Sequence, residues 1–288
     1  MRRTPSPSVR LRRLAAELRR IREERGLSVA QAAKAAGWGS SKLSRFETAE
    51  RRIVAADLNR LLDSYGIKDS AKREALHDLS RQAKERGWWW KYRDVFGARA
   101  LPDFEAEASV IRTYESIVIP GLLQTPDYAA ALFKGDCHAP PEQIDRLVEA
   151  RIVRREILTR IDQPPRLTAV IDEAALRRPI GGWAIMREQI DYLLRIGRAH
   201  NIDIQVLPFS AGAHSGLSGS FTILDFPDPT DMSVVYTDTL TSGSFEEQTD
   251  DVDRYMRTFG DIQGSSLSKQ QSEQFIRDVL QQGSDYSA

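Results

Sequence analysis

Cysteine is nearly absent, Cys137 being the only one in 288 residues. An intrachain disulfide and a thiolate-rich metal site are both excluded, and a reducing interior is the expected environment. Long apolar runs are missing as well. No run of 18 apolar residues occurs, and the opening MRRTPSPSVR is too polar and proline-rich for a secretory signal. Neither a membrane span nor an export signal is therefore expected, and the cytoplasm is the expected location. The four histidines, His77, His138, His200 and His214, show no HxH, HExxH or Cys/His spacing, which argues against zinc. Gly212, Gly216 and Gly219 are not followed by GK[ST], no GxSxG elbow is present, and the carboxylates Asp172, Glu173 and Asp225 have no defined partner. The expectation is a protein without enzymatic activity, metal or cofactor.

Net charge is also absent, but only in the sum. Residues 1–100 carry 24 Lys and Arg against 12 Asp and Glu, and the remainder carries 17 against 29. A basic head on an acidic body suits a nucleic-acid-binding module joined to a domain with another task. The length allows two domains, and a hydrophobic content of 41% is ordinary for a globular protein.

What the head does have is a pair of short helices joined by a glycine turn, within LSVAQAAKAAGWGSSKLSRFETAERR, residues 27–52. Ser28 and Gln31 form a capping box that starts a helix at about Val29. Ala32, Ala33 and Ala36 give that helix a small apolar face, and Gly37 ends it in a left-handed conformation. Ser40 or Ser41 is expected to cap a second helix, whose Leu43, Phe46 and Glu47 share an inward face. Ser40, Ser41, Lys42, Ser44 and Arg45 are left outward. Short hydroxyls and long cations of this kind suit base edges and phosphates in a major groove, although an ordinary helical hairpin with a solvated basic face has the same pattern.

Neighbouring segments complete a five-helix bundle. Leu11, Leu14, Leu18 and Ile21 recur at helical spacing up to Gly26; Leu58, Leu61, Leu62 and Tyr65 form a stripe ending at Gly66; Leu76 and Leu79 mark a fifth helix between Asp69 and Arg86. In helix order, turn position and the SKLSRFE core, the first 80 or so residues resemble the Xre (lambda-repressor-like) helix-turn-helix family. That resemblance implies that Ser40, Ser41 and Arg45 face bases, that Lys42 lies near the DNA backbone, and that Ser28, Arg51 and Arg52 meet phosphates. It also implies a structural pair between Arg22 on the first helix and Glu47 on the recognition helix. One position departs from the family pattern: Ala49 stands where the family usually has Gly, at a cost of about 1 kcal/mol if the backbone there is left-handed. The Ile53, Val54, Ala55 run likewise replaces a frequent Pro.

The segment GWWWKYRDVFGARALP, residues 87–102, has neither helical nor alternating periodicity and reads as a connection. Its Trp88, Trp89 and Trp90 suit docking of one domain on the other, a ligand cage or a dimer contact. Beyond it, a helical stripe is expected from Phe104 to Tyr114, a helix capped by Thr125 with Pro126 in its first turn, and a long helix from Pro141 to Ile161. That long helix places Leu147, Ala150, Val153, Ile157 and Ile161 on one face. Its Arg146, Arg151, Arg154 and Arg155 form a solvated or acid-paired face in preference to a second DNA surface. Strands are expected at Leu167–Ile171, Ile202–Leu207, Phe221–Phe226 and Ser233–Tyr236, with helices at Glu173–Arg178, Trp183–Ala199, Asp250–Phe259 and Leu267–Gln281. A Gly and Ser loop, 210–220, joins the second and third strands.

The fold class expected is thus an N-terminal all-α five-helix helix-turn-helix domain followed by an α+β domain with a small antiparallel or mixed sheet. The boundaries read as a flexible basic arm over 1–10, the helix-turn-helix domain over 11–86, the aromatic linker over 87–102, the α+β domain over 103–282 and a tail over 283–288. PGLLQTPDYAAAL, EARIVRREIL, VLPFSAGAHSGLSGSFTILDFPDP and VVYTDTL resemble the C-terminal domain of unknown function of WhiJ-type actinobacterial regulators. What this second resemblance implies is a regulator with a very small protein partner and an antitoxin-like character. The function expected is a sequence-specific transcriptional regulator that binds double-stranded DNA as a homodimer. A small-molecule-sensing repressor, or an interaction module whose helix-turn-helix does not read DNA, are the alternatives.

Overall fold

The computed structural model describes residues 9–83, 91–92, 95, 101–135, 141–228, 231–239 and 243–283. The chain divides into two compact units, Met1–Phe104 and Glu105–Ala288. The three tryptophans 88–90, most of the expected arm, and both Cys137 and His138 lie outside the described residues.

The first unit holds α1 (Val9–Glu24), α2 (Val29–Ala35), α3 (Ser40–Glu47), α4 (Ala55–Ser64) and α5 (Ser70–Gln82). Apolar residues at helical spacing form one core, with Leu14, Leu18 and Ile21 of α1 meeting Leu43 and Phe46 of α3 and Leu58, Leu61 and Leu62 of α4. Chain reversals after α1, α2 and α4 use Gly26, Gly37 and Gly66, at φ of +65°, +70° and +65°. These left-handed positions favour glycine because it has no Cβ.

In the second unit the sheet order is β3-β2-β1-β4-β5-β6. The strands are β1 (Val110–Glu115), β2 (Arg166–Asp172), β3 (Ile202–Leu207), β4 (Phe221–Asp225), β5 (Val234–Asp238) and β6 (Gly243–Glu246). The first three run parallel, whereas β4, β5 and β6 each run antiparallel to their neighbours, so the sheet is mixed. After α6 (Leu101–Glu107), the crossover from β1 to β2 carries α7 (Pro126–Gly135) and α8 (Ile144–Arg155). The crossover from β2 to β3 carries α9 (Glu173–Arg177) and α10 (Trp183–Ile196). α11 (Thr249–Ser265) and α12 (Lys269–Gln282) close the unit. α11 sets Val252, Phe259 and Ile262 against Tyr114, Val170, Phe221, Ile223 and Val235 of the sheet.

Several expectations need correction. The stripe from Phe104 to Tyr114 is not one helix: α6 stops at Glu107, and β1 follows in the centre of the sheet. β-branched Val110, Ile111 and Thr113 and pairing on both edges favour extended backbone there. The long helix ends at Arg155 and tightens into a 3-10 turn over Glu156–Thr159, which leaves Ile161 97% exposed. β6 was not anticipated. Gly39, not Ser40 or Ser41, precedes the first residue of α3, and it makes no side-chain cap.

No helix among the described residues is long and apolar enough to cross a membrane.

Candidate nucleic-acid interface

α2 is fixed at its start by the Ser28 capping box, in which the Gln31 amide donates to Ser28 Oγ at 3.2 Å and the Ser28 amide donates to Gln31 Oε1 at 2.9 Å. The hydroxyl proton of Ser28 is not consumed by that bond, and the residue is exposed. Gly37 then turns the chain, closed by Trp38 N–H to the Ala33 carbonyl at 2.8 Å. α3 starts two residues later. Leu43 and Phe46 are 0% and 2% exposed and anchor it to the core, with Trp38 edge-on to Phe46 at 5.6 Å.

The anchored face leaves the other face open. Ser40, Ser41, Ser44 and Arg45 are exposed, as are Arg51 and Arg52 just beyond the helix. Because Gly39 occupies the cap position, the Ser40 and Ser41 hydroxyls lie in the first turn of α3 without serving as its cap. The Arg51 guanidinium stands over the Phe46 ring at 5.9 Å, so its charge lies beside the helix exit in a residue that stays exposed.

Two of the predicted residues are held inside. The Arg22 guanidinium donates from Nε to Glu47 Oε1 at 2.8 Å and from Nη2 to Oε2 at 3.0 Å, and from Nη1 to the Leu27 carbonyl at 2.8 Å. Tyr65 donates to Glu47 Oε1 at 3.5 Å. The two side chains are 8% and 5% exposed, and the hydrogen bonds it donates to Glu47 push the Arg22 guanidinium further towards its charged form. This bidentate pair ties α1 to the last residue of α3 and so fixes the helix that carries the open face.

Lys42 differs from its outward neighbours. Its ammonium donates to Asp57 Oδ1 on α4 at 2.9 Å and sits 4.3 Å from the Trp38 ring centre. Sequence reasoning did not find that partner, because Asp57 lies 15 residues away on another helix with no local spacing to signal it. At the helix exit Ala49 has φ of +56° and is 5% exposed, so the left-handed turn is formed with a Cβ in place.

In the second unit the carboxylates that the sequence singled out have identifiable contacts. Asp172 accepts from the Ala174 amide at 2.9 Å at the start of α9. Glu173 accepts from the Phe209 amide at 2.8 Å and from Arg177. Asp225 accepts from Ser233 at 2.7 Å and pairs with Arg112. His214 accepts the Gly216 amide at Nδ1, 3.1 Å away, and its Nε2 lies 3.9 Å from Asp172. Among the described residues no group of three His, Cys, Asp or Glu side chains is placed to hold a metal ion.

Comparison with known families gives two matches: "Helix-turn-helix domain" over residues 13–76 and "Domain of unknown function (DUF5753)" over residues 98–278. No curated protein and no solved structure matches the chain. A helix-turn-helix domain ahead of a second domain is consistent with a DNA-binding regulator.

Proposed function

The chain belongs to the family of the domain of unknown function DUF5753, and from that premise, with a helix-turn-helix domain at its head, we propose that it is a sequence-specific transcriptional regulator of the Xre type. The observation that carries this reading is the exposed row of Ser40, Ser41, Ser44 and Arg45 on a helix whose opposite face is locked by Leu43, Phe46 and the Arg22–Glu47 pair. A helix presenting small hydroxyls from its first turn onward and one arginine in its last turn suits base edges in a major groove. Arg51, Arg52 and Ser28 flank that row and suit phosphates, which position the domain without reading sequence.

On this proposal the protein acts in the cytoplasm as a homodimer on a near-palindromic operator, since such domains read half-sites about one helical turn apart. The WhiJ-like second unit performs no catalysis. It receives the regulatory input, in an antitoxin-like arrangement with a small protein partner, and transmits it as a coupling free energy between two states that differ in DNA affinity.

Gel shifts with the promoter region of the protein's own gene and with random duplex, in rising salt, test the reading. Specific retention that outlasts random binding as salt increases supports it; equal affinity for both duplexes, or none, assigns the domain to protein interaction instead.

A further inference from the structure

β3 is an edge strand of the sheet. The Leu167 amide donates to the Asn201 carbonyl at 2.8 Å, so in the β2–β3 register Asp203, Gln205 and Leu207 turn their backbone groups towards β2. Ile202, Ile204 and Val206 turn theirs outward. An edge of this kind pairs with another chain unless it is covered.

The start of α12 covers most of it. The Leu267 amide donates to the Val206 carbonyl at 2.9 Å, the Val206 amide donates to Ser272 Oγ at 2.9 Å, and the Lys269 ammonium donates to the Ile202 carbonyl at 2.7 Å. Ser272 is 0% exposed, and its hydroxyl proton goes to the Leu267 carbonyl at 3.1 Å. The Ile202 amide turns back to the Ala199 carbonyl at 3.2 Å. Ile204 is passed over: among the described residues its outward amide and carbonyl have no partner, and a cleft between α10 and α12, lined by Leu194, Lys269 and Ile276, opens on it. Of the 14 residues of α12 only Ser272, Ile276 and Val279 are buried. The cover is narrow.

The edge beneath it is complementary to itself. In an antiparallel pair of two β3 strands centred on Ile204, the Ile204 amide and carbonyl meet those of the same residue in the second copy, and Val206 meets Ile202. All three facing pairs are β-branched, which suits a strand pair. Asp203 then stands opposite Gln205 on the α11 face, and no like charges face each other. Two unused groups become partners in that register. Asp203 Oδ1 is buried without a hydrogen bond among the described residues, and Gln205 accepts from Gln263 Nε2 at 3.0 Å while its own Nε2 donates to no described residue.

We propose that β3 is a pairing edge for a second copy of this chain, kept closed in each copy by α12. Displacing α12 passes the Val206 amide and carbonyl and the Ile202 carbonyl to the second copy, and gives Ile204 the two bonds it lacks. The resulting contact is isologous, built twice over from the same residues. It rests on the second unit alone, independently of the DNA-reading assignment of the first.

Light-scattering mass of the full chain across a concentration series, without DNA, tests it. Ser272→Arg puts a long cation where the wild-type side chain is fully buried, which lifts α12 from β3; the mass is expected to double relative to wild type. In that background Gln205→Glu sets like charges opposite Asp203 twice and is expected to weaken the association about threefold or more, whereas Gln205→Lys strengthens it by a similar factor. Gln205→Glu alone keeps the wild-type mass. Cooperative melting qualifies each variant as folded, and Lys269→Ala with Ser272→Ala, which removes two of the three bonds without adding bulk, carries the test if Ser272→Arg does not fold. A folded released variant that keeps the wild-type mass at every concentration overturns the proposal, as does association that the charge at position 205 leaves unchanged.

Discussion

Arg22 and Glu47, 25 residues apart, meet in a bidentate ion pair with side chains 8% and 5% exposed, and through it α1 holds the end of the helix that presents Ser40, Ser41 and Arg45. A buried pair of this kind is costly to form and costlier to halve. Glu47→Leu leaves the buried Arg22 with only the exposed Glu23, 3.3 Å from its Nη2, and is expected to destabilise the first unit by about 2–4 kcal/mol. Adding Arg22→Met to Glu47→Leu is expected to recover most of that loss, because both charges are then gone. Hydrogen exchange of the α1 and α3 amides in the full chain measures each step; equal protection in Glu47→Leu and wild type contradicts the role.

Ala49 sets two effects against each other. Its left-handed φ of +56° costs about 1 kcal/mol relative to glycine, while its methyl is buried with Leu11, Ala15 and Ala83 and contributes about 0.8 kcal/mol. Ala49→Gly is therefore expected to change stability by less than about 1 kcal/mol. Ala49→Val adds a β-branched side chain to the same backbone and is expected to lose roughly 2 kcal/mol or more. The same exchange experiment ranks the pair, and a Gly variant much weaker than wild type shows that packing outweighs backbone strain.

Much of the first unit is legible in the sequence because its signals are local. The Ser28–Gln31 box, the Gly37 turn and the Leu43–Phe46 face each lie within one or two helical turns, where spacing alone decides contact. Lys42 looked like its neighbours, and its Asp57 partner is set by helix packing, which spacing does not encode. In the second unit the strands with apolar runs, β2 and β3, were readable, whereas β1 was hidden. Its Arg112 and Glu115 break the alternation, and Phe104, Ala108 and Ile111 recur at helical spacing into the strand. The row of Thr113, Thr222 and Tyr236 is hidden for a related reason: the three become neighbours only through the register of three strands.

Gly216 shows what the glycine loop is built for. A Cβ there would lie 2.6 Å from Tyr114 Cε1 and 3.0 Å from Ile262 Cδ1, so Gly216→Ala is expected to cost about 1–3 kcal/mol through overpacking. At Gly212 nothing lies within 4 Å, but φ of +64° with ψ of −131° lies outside the left-handed helical region, so Gly212→Ala is expected to cost about 1–3 kcal/mol through backbone strain alone. Thermal unfolding of the two variants in the full chain measures both losses; a variant as stable as wild type contradicts its assignment.

Glu115 makes a pH dependence of definite sign. Burial raises its folded value to about 7 from 4.5, so the folded state holds the proton more tightly than the unfolded one. The associated stability is fully present below about 4.5 and is lost as pH rises to about 7. For a group in contact with some solvent this amounts to roughly 2 kcal/mol. Unfolding of wild type and Glu115→Gln between those limits reads it as a difference: the variant is expected to show the shallower decline with pH, and parallel curves contradict the assignment.

The central claim is that α3 reads sequence while its flanks hold phosphates, and Arg45→Ala beside Arg51→Ala and Arg52→Ala tests it most directly. Equilibrium binding to the operator and to random duplex is measured for each across a salt series. Arg45→Ala is expected to lose about 1–3 kcal/mol on the operator and far less on random DNA, which narrows the ratio between them. Arg51→Ala and Arg52→Ala are expected to weaken both duplexes alike and to lower the salt slope by about one each. Equal loss on operator and random DNA for Arg45→Ala contradicts base reading by α3.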